Sequence, residues 1–295
     1  MVTEAQIMQF IVSGIMVGSI YATIAIGFNM IFNATDVINF AQGEFVMMGG
    51  MVTVGMYQFL HAPLWISCIV AILIVTAIGM IFERLAIHPI KNLSVLNIII
   101  ITIGAGMIMR SGTMLILGRD NMSFPPFTGG STPLHIFSAT IHPQGVWIIV
   151  ITMVLVIALS LFYRYSIHGI AMRAAAFNKM SAELMGINVR WMVLLSFALS
   201  AASGAAAGVL ITPITLTSYN AGLILGLKGF CAAIFGGLGS FWGAVCGGLI
   251  LGLLESLGAG LISSGYKDAI AFFILLVVLF LRPTGLFGTV KIREE

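Results

Sequence analysis

Residues 191–227 read WMVLLSFALSAASGAAAGVLITPITLTSYNAGLILGL and contain no Lys, Arg, Asp or Glu. A helix needs about 20 apolar residues to cross the hydrocarbon core of a bilayer, so this run has room for almost two crossings. A turn signal interrupts it, because Pro213 is followed by Thr, Ser and Asn residues as far as Asn220. The run therefore predicts two membrane-spanning helices joined by a short loop.

The rest of the chain has the same character. Of 295 residues, 60% are hydrophobic and 8% are charged, and the mean hydropathy is +1.12. This composition excludes a soluble globular protein. We predict an all-α integral membrane protein with about nine transmembrane helices (8–10), in one bundle with Gly-rich broken or re-entrant segments. The predicted crossings lie at about 6–30, 42–60, 64–83, 94–117, 145–163, 191–211, 222–238, 241–262 and 268–282. Short loops leave no room for a second domain, so residues 1–295 are predicted to form a single transmembrane domain.

Basic residues in short loops predict the orientation. One side of the nine-helix arrangement carries Arg84, Lys91, Arg164, Arg173, Lys179, Arg190, Arg282, Lys291 and Arg293, and the other carries Arg119 and Lys267. The richer side is expected to be cytoplasmic, and so is the C-terminus. No Lys or Arg precedes Arg84, so the first crossings lack a charge signal, and residues 31–44 either cross or re-enter.

Glycine pairs at a spacing of four predict close helix packing. The pairs are Gly14/Gly18, Gly204/Gly208, Gly222/Gly226, Gly243/Gly247 and Gly248/Gly252. One such pair is weak evidence, but five together indicate a tight multi-helix bundle.

Several function classes are excluded or disfavoured. The formal net charge of +3 is too small and too scattered for a nucleic-acid surface. The three cysteines lie in apolar runs without ligand spacing, which disfavours a disulfide framework or a zinc site. No G-x-x-x-x-G-K-[ST] loop occurs, so we expect no ATP hydrolysis and no cofactor in this chain. An intramembrane enzyme would need convergent polar groups at depth, and no convincing pair is visible.

Charged residues inside or bordering the spans are candidates for a translocation path, because burying a charge in a membrane is costly. Two segments, Asn39–Glu44 and Gly226–Ser240, also have the Gly-rich composition of discontinuous helices near a transport path. The candidate path residues are Asn39, Gln42, Glu44, Arg110, Lys228 and Glu255. A purely structural alternative is an ion pair between Arg110 and Glu255. We interpret Glu83-Arg84 as the solvated end of a span.

The long loop at about 164–190 has a helical pattern. Ala174–Ala176 favour a helix and Gly186 is a plausible cap at its end. Phe177, Met180, Leu184 and Ile187 recur at helical spacing and predict an exposed apolar stripe, whereas Arg173, Lys179 and Glu183 face elsewhere. Such a stripe indicates a protein partner, or alternatively a helix lying on lipid headgroups.

The same loop resembles the coupling loop of ABC importer permeases of the LivH type, which serve branched-chain amino acids. The resemblance rests on Arg173–Asn178 (RAAAFN) and Ala182–Asn188 (AELMGIN). It extends to Gly18–Ala22 with Ala25–Gly27, to Ile38–Glu44 (INFAQGE), to Gly226–Phe230 with Gly236–Ser240, and to the C-terminal Arg282–Gly288. The general importer motif begins with Glu-Ala-Ala and has a four-residue spacing to its Gly, and the loop has neither feature. The wider spacing from Ala175-Ala176 to Gly186 suits the LivH-type branch.

The resemblance implies a non-catalytic permease subunit in the bacterial inner membrane, forming half of a translocation path. It also implies three kinds of partner: a second, related permease, two cytoplasmic ATPases that bind ATP and Mg, and a periplasmic solute-binding protein. The residues expected to couple this chain to the ATPase are Arg173, Phe177, Asn178, Met180, Ala182, Glu183, Leu184 and Gly186. The solute would be leucine, isoleucine or valine, or a relative's substrate such as urea or a short amide. The alternative is a self-sufficient secondary transporter or channel for a small neutral solute.

Overall fold

The computed structural model of the chain describes residues 3–89, 95–128, 134–136, 139–282 and 284–288. The predicted cytoplasmic residues Lys91, Lys291 and Arg293 lie outside these ranges. The helices are α1 (Glu4–Thr35), α2 (Gln42–Gln58), α3 (Leu64–Phe82), α4 (Val95–Leu117), α5 (Pro143–Tyr165), α6 (Ile167–Phe177), α7 (Lys179–Leu184), α8 (Val189–Thr215), α9 (Ala221–Gly236), α10 (Phe241–Leu261) and α11 (Lys267–Leu281). A π-helical turn, Glu83–Ile87, continues α3.

The protein is all-α and membrane-spanning, as predicted. A helix occupies each of the nine predicted crossings, and α6 and α7 form the long loop between the fifth and the sixth. Within the described ranges, seven helical segments are long and apolar enough to cross a membrane. The helices α2 and α9, with 17 and 16 residues, are shorter than these segments. The count of nine full crossings therefore stays a prediction.

Glycine brings the central helices into backbone contact. A Cβ on Gly14 would lie 2.8 Å from the Leu253 Cα, and one on Gly18 would lie 2.8 Å from the Leu249 Cα. The partner surface on α10 is itself glycine, at Gly248 and Gly252. The other three pairs also contact a neighbouring helix: Gly204/Gly208 meet α2, Gly222/Gly226 meet Gly43, and Gly243/Gly247 meet α9. The predicted tight bundle is confirmed, and α1 and α8 are its most buried spans.

The first of the two predicted broken segments is present. The helix α1 ends with Asp36 in the left-handed region at φ 58°, and α2 begins at Gln42. Between them, Val37, Asn39 and Ala41 are buried although the backbone is not helical. The second predicted break, Gly226–Ser240, is wrong over most of its length. The helix α9 continues to Gly236, because its glycines pack against neighbouring helices without interrupting its hydrogen bonds.

A small hairpin was not predicted by the sequence. Strands β1 (Leu134–Ile136) and β2 (Ala139–Ile141) pair antiparallel. Gln9 of α1 exchanges two hydrogen bonds with the Thr140 backbone, at 2.9 and 3.1 Å. The hairpin thus attaches the α4–α5 connection to the start of α1.

Candidate functional site

The predicted coupling helix is two helices. Asn178 ends α6 in an extended conformation, and its side chain caps α7 by accepting a 2.9 Å hydrogen bond from the Ser181 N–H. An asparagine at this position favours a helix start over a helix interior. The single helix expected from the alanine run is therefore wrong, because Asn178 interrupts it.

The apolar side chains of this segment are exposed. Phe177 is 92% exposed, Met180 75%, Leu184 80% and Met185 83%. Large apolar residues at such exposure, lying between the end of α6 and the end of α7, mark an interaction surface. Ala182, by contrast, is buried against Ala175 and Val189, which fixes α7 to the body of the protein. Arg173 and Glu183 are exposed between these groups.

Gly186 ends α7 with a left-handed residue, as predicted. Its φ is +81°, its N–H bonds to the Glu183 carbonyl, and the Ile187 N–H bonds to the Ala182 carbonyl. These two bonds form a Schellman motif. Its usual apolar contact turns Ile187 inward onto the Ala182 cluster. The prediction that Ile187 belongs to the exposed stripe is therefore wrong.

A cavity of about 410 Å³ connects this segment with the bundle. It is lined by Asn39 of the broken segment, by Glu83 at the end of α3, and by Lys179, Glu183 and Arg190. The Lys179 ammonium donates a 3.4 Å hydrogen bond to the Thr35 carbonyl at the end of α1. The helix α7 therefore contacts the point where α1 stops.

Glu83 departs from its predicted role as a solvated span end. Its side chain is buried, with one carboxylate oxygen 3.9 Å from the His88 imidazole and the other without a hydrogen-bond partner among the described residues. Arg84 is exposed as expected. The π-helical turn changes the register of the helix here, and Glu83 lies on the inner side.

A separate group of charges is the ion pair between Glu44 of α2 and Arg110 of α4. Both residues line a pocket of about 270 Å³ bounded by α1, α2, α4 and α9. One oxygen of Glu44, Oε2, and one nitrogen of Arg110, Nε, are buried without a hydrogen-bond partner among the described residues. The pair is thus incompletely bonded.

A further group of charged residues forms a network around Glu255 of α10. Its Oε1 lies 2.9 Å from the Lys228 ammonium and 3.3 Å from that of Lys267, and its Oε2 accepts a 2.9 Å hydrogen bond from Tyr21. Lys228 also lies 2.6 Å from Asp268. Glu255 and Lys228 are 0% and 3% exposed. The predicted alternative pairing of Arg110 with Glu255 is therefore wrong, since each of them pairs with a different residue.

Gln42 lies in a closed junction of three helices. Its amide nitrogen donates to the Ser200 carbonyl at 3.1 Å. Its amide oxygen lies 2.6 Å from the Ser200 hydroxyl and the Gly27 carbonyl lies 2.8 Å from the same hydroxyl, so these two oxygens share the single hydroxyl proton. Asn39 accepts a hydrogen bond from the Ala41 N–H, and its Nδ2 has no partner among the described residues. Of the six candidate path residues, the structure brings Glu44 and Arg110 into one pocket and Lys228 and Glu255 into one network. The path role of all six stays a prediction.

Sequence reasoning missed residues that complete these sites. Phe28, Phe40 and Phe230 form the aromatic wall of the Glu44 pocket. The ring centroid of Phe230 lies 5.7 Å from that of Phe28 and 5.5 Å from that of Phe40. Tyr21 and Asp268 complete the Glu255 network. Of these residues, only Asp268 had a signal in the sequence, as one of few acidic residues next to a span. The aromatic residues had none, because such residues are common throughout membrane helices.

The comparisons with known proteins agree with this architecture. A family model described as branched-chain amino acid transport system / permease component matches residues 10–279. The high-affinity branched-chain amino acid transport system permease protein LivH of Salmonella typhimurium is 35% identical over 300 residues, and LivH of Escherichia coli K12 is 34% identical over 303 residues. The corresponding BraD of Pseudomonas aeruginosa is 33% identical over 301 residues. Each alignment covers 97% of both chains.

The chain belongs to the family of branched-chain amino acid transport permeases. It is thus a membrane permease subunit of an ABC importer and not an enzyme, as the sequence predicted. Among solved structures, PsaBC from Streptococcus pneumoniae in complex with Fab aligns with 94% of this chain and 92% of its own, at 13% identity and a TM-score of 0.49. That similarity is too weak to bear on the site.

Proposed function

We propose that this permease forms half of an importer that carries branched-chain amino acids, or a similar small polar solute, across the bacterial inner membrane. A second, related permease completes the path, two cytoplasmic ATPases bind ATP and Mg and drive it, and a periplasmic binding protein delivers the solute. The C-terminus faces the cytoplasm. The relatives LivH and BraD, which are branched-chain amino acid permeases, support the substrate class.

The observation that carries the ATPase assignment is the exposed apolar cluster of Phe177, Met180, Leu184 and Met185. A helix that simply lay on lipid headgroups would carry many basic residues on its polar face. Between Phe177 and Gly186 the segment has one basic residue, Lys179, whose ammonium bonds to the Thr35 carbonyl. An apolar groove on a cytoplasmic protein accounts better for this surface.

The contacts of α7 give a route from the ATPase to the path. Ala182 fixes α7 to α8, and Lys179 links it to the end of α1. A displacement of α7 on ATP binding would therefore pull on Thr35 and on the non-helical segment 36–41, which leads into α2. Alternating access requires such a link between the ATPase and the gate.

The test is co-purification. The tagged chain, expressed with its partners, is extracted in mild detergent, and the proteins that accompany it are identified by mass spectrometry. We expect a P-loop ATPase and a second permease with the unmodified chain. Recovery of the chain alone or as a homo-oligomer in several detergents would contradict the importer and favour the self-sufficient transporter or channel.

Variants of the exposed cluster sharpen this test. Phe177→Asp and Leu184→Asp should lose most of the ATPase, because a charge in an apolar interface is costly, while the chain stays membrane-inserted and monodisperse. Phe177→Leu is the matched control and should retain the ATPase. Equal ATPase recovery in all three variants would show that this surface does not dock it.

A further inference from the structure

The pocket between α1, α2, α4 and α9 contains a charge pair whose hydrogen-bonding capacity the described residues leave partly unfilled. We propose that it binds the transported amino acid as a zwitterion: Glu44 receives the α-ammonium group, Arg110 receives the α-carboxylate, and the apolar wall receives the side chain. This assignment rests on the proposed function, because it names the substrate class that the permease itself recognises.

The unfilled bonds of the pair match both ends of an amino acid. Glu44 is 4% exposed and its Oε2 accepts no hydrogen bond from the described residues. The Arg110 side chain is 24% exposed and its Nε donates none. A buried polar atom without a partner costs free energy, so its persistence calls for a ligand that supplies one. An α-ammonium group offers donors for the carboxylate, and an α-carboxylate accepts from a guanidinium in bidentate geometry.

The Glu44–Arg110 pair also favours a solute that carries both charges and no net charge. A zwitterion can satisfy a carboxylate and a guanidinium together without adding charge to the pocket. A solute with only one of these groups leaves the other protein charge with its bonds still unfilled. A neutral amide or urea brings no charge to either side. The pocket therefore favours an amino acid over the other substrates of related importers.

The pocket lies beside the middle of the apolar helix α4 and next to the starts of α2 and α9. Gly106 lines it and is the central residue of α4 (Val95–Leu117). Glu44 lies in the first turn of α2, directly after the buried non-helical segment 36–41. Gly222 and Leu223, in the first turn of α9, close the opposite side. Solute sites near the bilayer midplane are commonly built where helices start or break.

The remaining wall is apolar. Besides Gly106, Gly222 and Gly226 it consists of Phe28, Phe40, Ile103, Met107, Leu223, Leu227 and Phe230. Such a lining suits a branched aliphatic side chain and offers no partner for a third polar group. The volume of about 270 Å³ is at the small end of ligand pockets, as a solute of amino-acid size requires.

The test measures binding of radiolabelled leucine to the purified complete importer without its binding protein. We expect saturable binding that unlabelled leucine competes, whereas leucinol, which lacks the carboxylate, and 4-methylpentanoate, which lacks the ammonium group, compete at least about tenfold more weakly. Glu44→Gln and Arg110→Gln should each weaken leucine binding by at least about tenfold.

A pair of glycine variants on α4 tests the pocket without touching its charges. A Cβ on Gly106 would lie 3.4 Å from the Glu44 Cγ and occupy the pocket, whereas a Cβ on Gly104 would meet nothing within 4 Å. Gly106→Ala should weaken leucine binding about tenfold, the effect of one methyl group in a tight apolar site. Gly104→Ala should bind as the unmodified protein does.

Two results would overturn the inference that this pocket binds leucine: no saturable leucine binding, or undiminished binding in both neutralised variants. Full binding in the exchanged double variant Glu44→Arg/Arg110→Glu would also overturn it, because a purely structural ion pair would tolerate the exchange. ATP-dependent leucine uptake by proteoliposomes containing the importer and its binding protein is measured in parallel. Absent uptake by the unmodified importer contradicts the proposed function, whereas normal uptake without binding in the pocket contradicts only this inference.

Discussion

The two ion-pair regions of this permease are built from the same kinds of side chain and differ in how completely those side chains are bonded. In the Glu255 network, both carboxylate oxygens have partners, and Lys228 contacts two acidic groups. In the Glu44–Arg110 pair, each residue keeps a buried atom without a partner among the described residues. In the first region Glu255 and Lys228 are enclosed by protein, whereas the second region borders a pocket.

The difference separates two uses of a buried charge. A charge with all its bonds made inside the protein fixes helices to one another, here α9, α10 and α11 with Tyr21 of α1. A charge with bonds to spare is available to a ligand. Variants in the closed network should therefore act mainly on stability, and variants in the open pair mainly on binding.

The largest effect on stability is expected from Lys228→Met. It removes the main cation from a carboxylate that is 0% exposed, and breaking a buried ion pair from one side costs about 3–5 kcal/mol. Lys267 still reaches Glu255, so we expect the low end of that range. The measurement is the thermal midpoint of the purified protein in detergent, by tryptophan fluorescence.

The double variant Lys228→Met/Glu255→Met is the control for this prediction. Replacing both members of a buried pair by apolar side chains is often close to neutral. It should therefore recover a large part of the lost thermal stability. A double variant less stable than Lys228→Met would show that Glu255 acts through Tyr21 and Lys267 more than through Lys228.

The next largest effect is expected from Gly222→Ala, which forces the open region apart. A Cβ there would lie 2.7 Å from the Gly43 carbonyl oxygen and 2.8 Å from Oε2 of Glu44. Backbone atoms cannot rotate away from the added Cβ as a flexible side chain could. The helix α9 must therefore move away from α2, which costs about 1–3 kcal/mol. The thermal midpoint should fall, whereas Gly112→Ala, whose Cβ would meet nothing within 4 Å, should leave it unchanged. Equal midpoints in the two variants would contradict the close contact of α2 and α9.

The sequence predicted where the helices of the two ion-pair regions lie better than it predicted which of their side chains contact each other. Uncharged runs and turn signals locate the helices because the bilayer imposes a fixed length on each crossing. The five glycine pairs likewise indicated packing, since only a missing Cβ allows such contact. Pairing depends instead on which helix lies beside which. The structural alternative therefore paired Arg110 with Glu255, although α4 presents Arg110 to α2. Nothing local marks Phe28 or Phe230 as neighbours of Glu44.

A smaller effect on stability is expected from Glu44→Gln. The variant leaves Arg110 without its anion, but the guanidinium is about a quarter exposed and can be solvated. We expect a loss of about 1 kcal/mol, the usual net value of one hydrogen bond. The thermal midpoint should thus fall less than in Lys228→Met, although leucine binding is strongly reduced. A fall as large as in Lys228→Met would mean that the open pair also holds the helices together.

The smallest effect is expected from Lys267→Ala, at the outer edge of the closed network. Its ammonium lies 3.3 Å from Glu255, but its side chain is 46% exposed, whereas that of Lys228 is 4% exposed. Solvent-exposed ion pairs contribute about 0–1 kcal/mol, and salt screens them further. The thermal midpoint should shift only slightly, and the shift should shrink at high ionic strength, whereas the effect of Lys228→Met should persist there. A large, salt-independent loss in Lys267→Ala would place Lys267, rather than Lys228, as the cation on which the buried carboxylate depends.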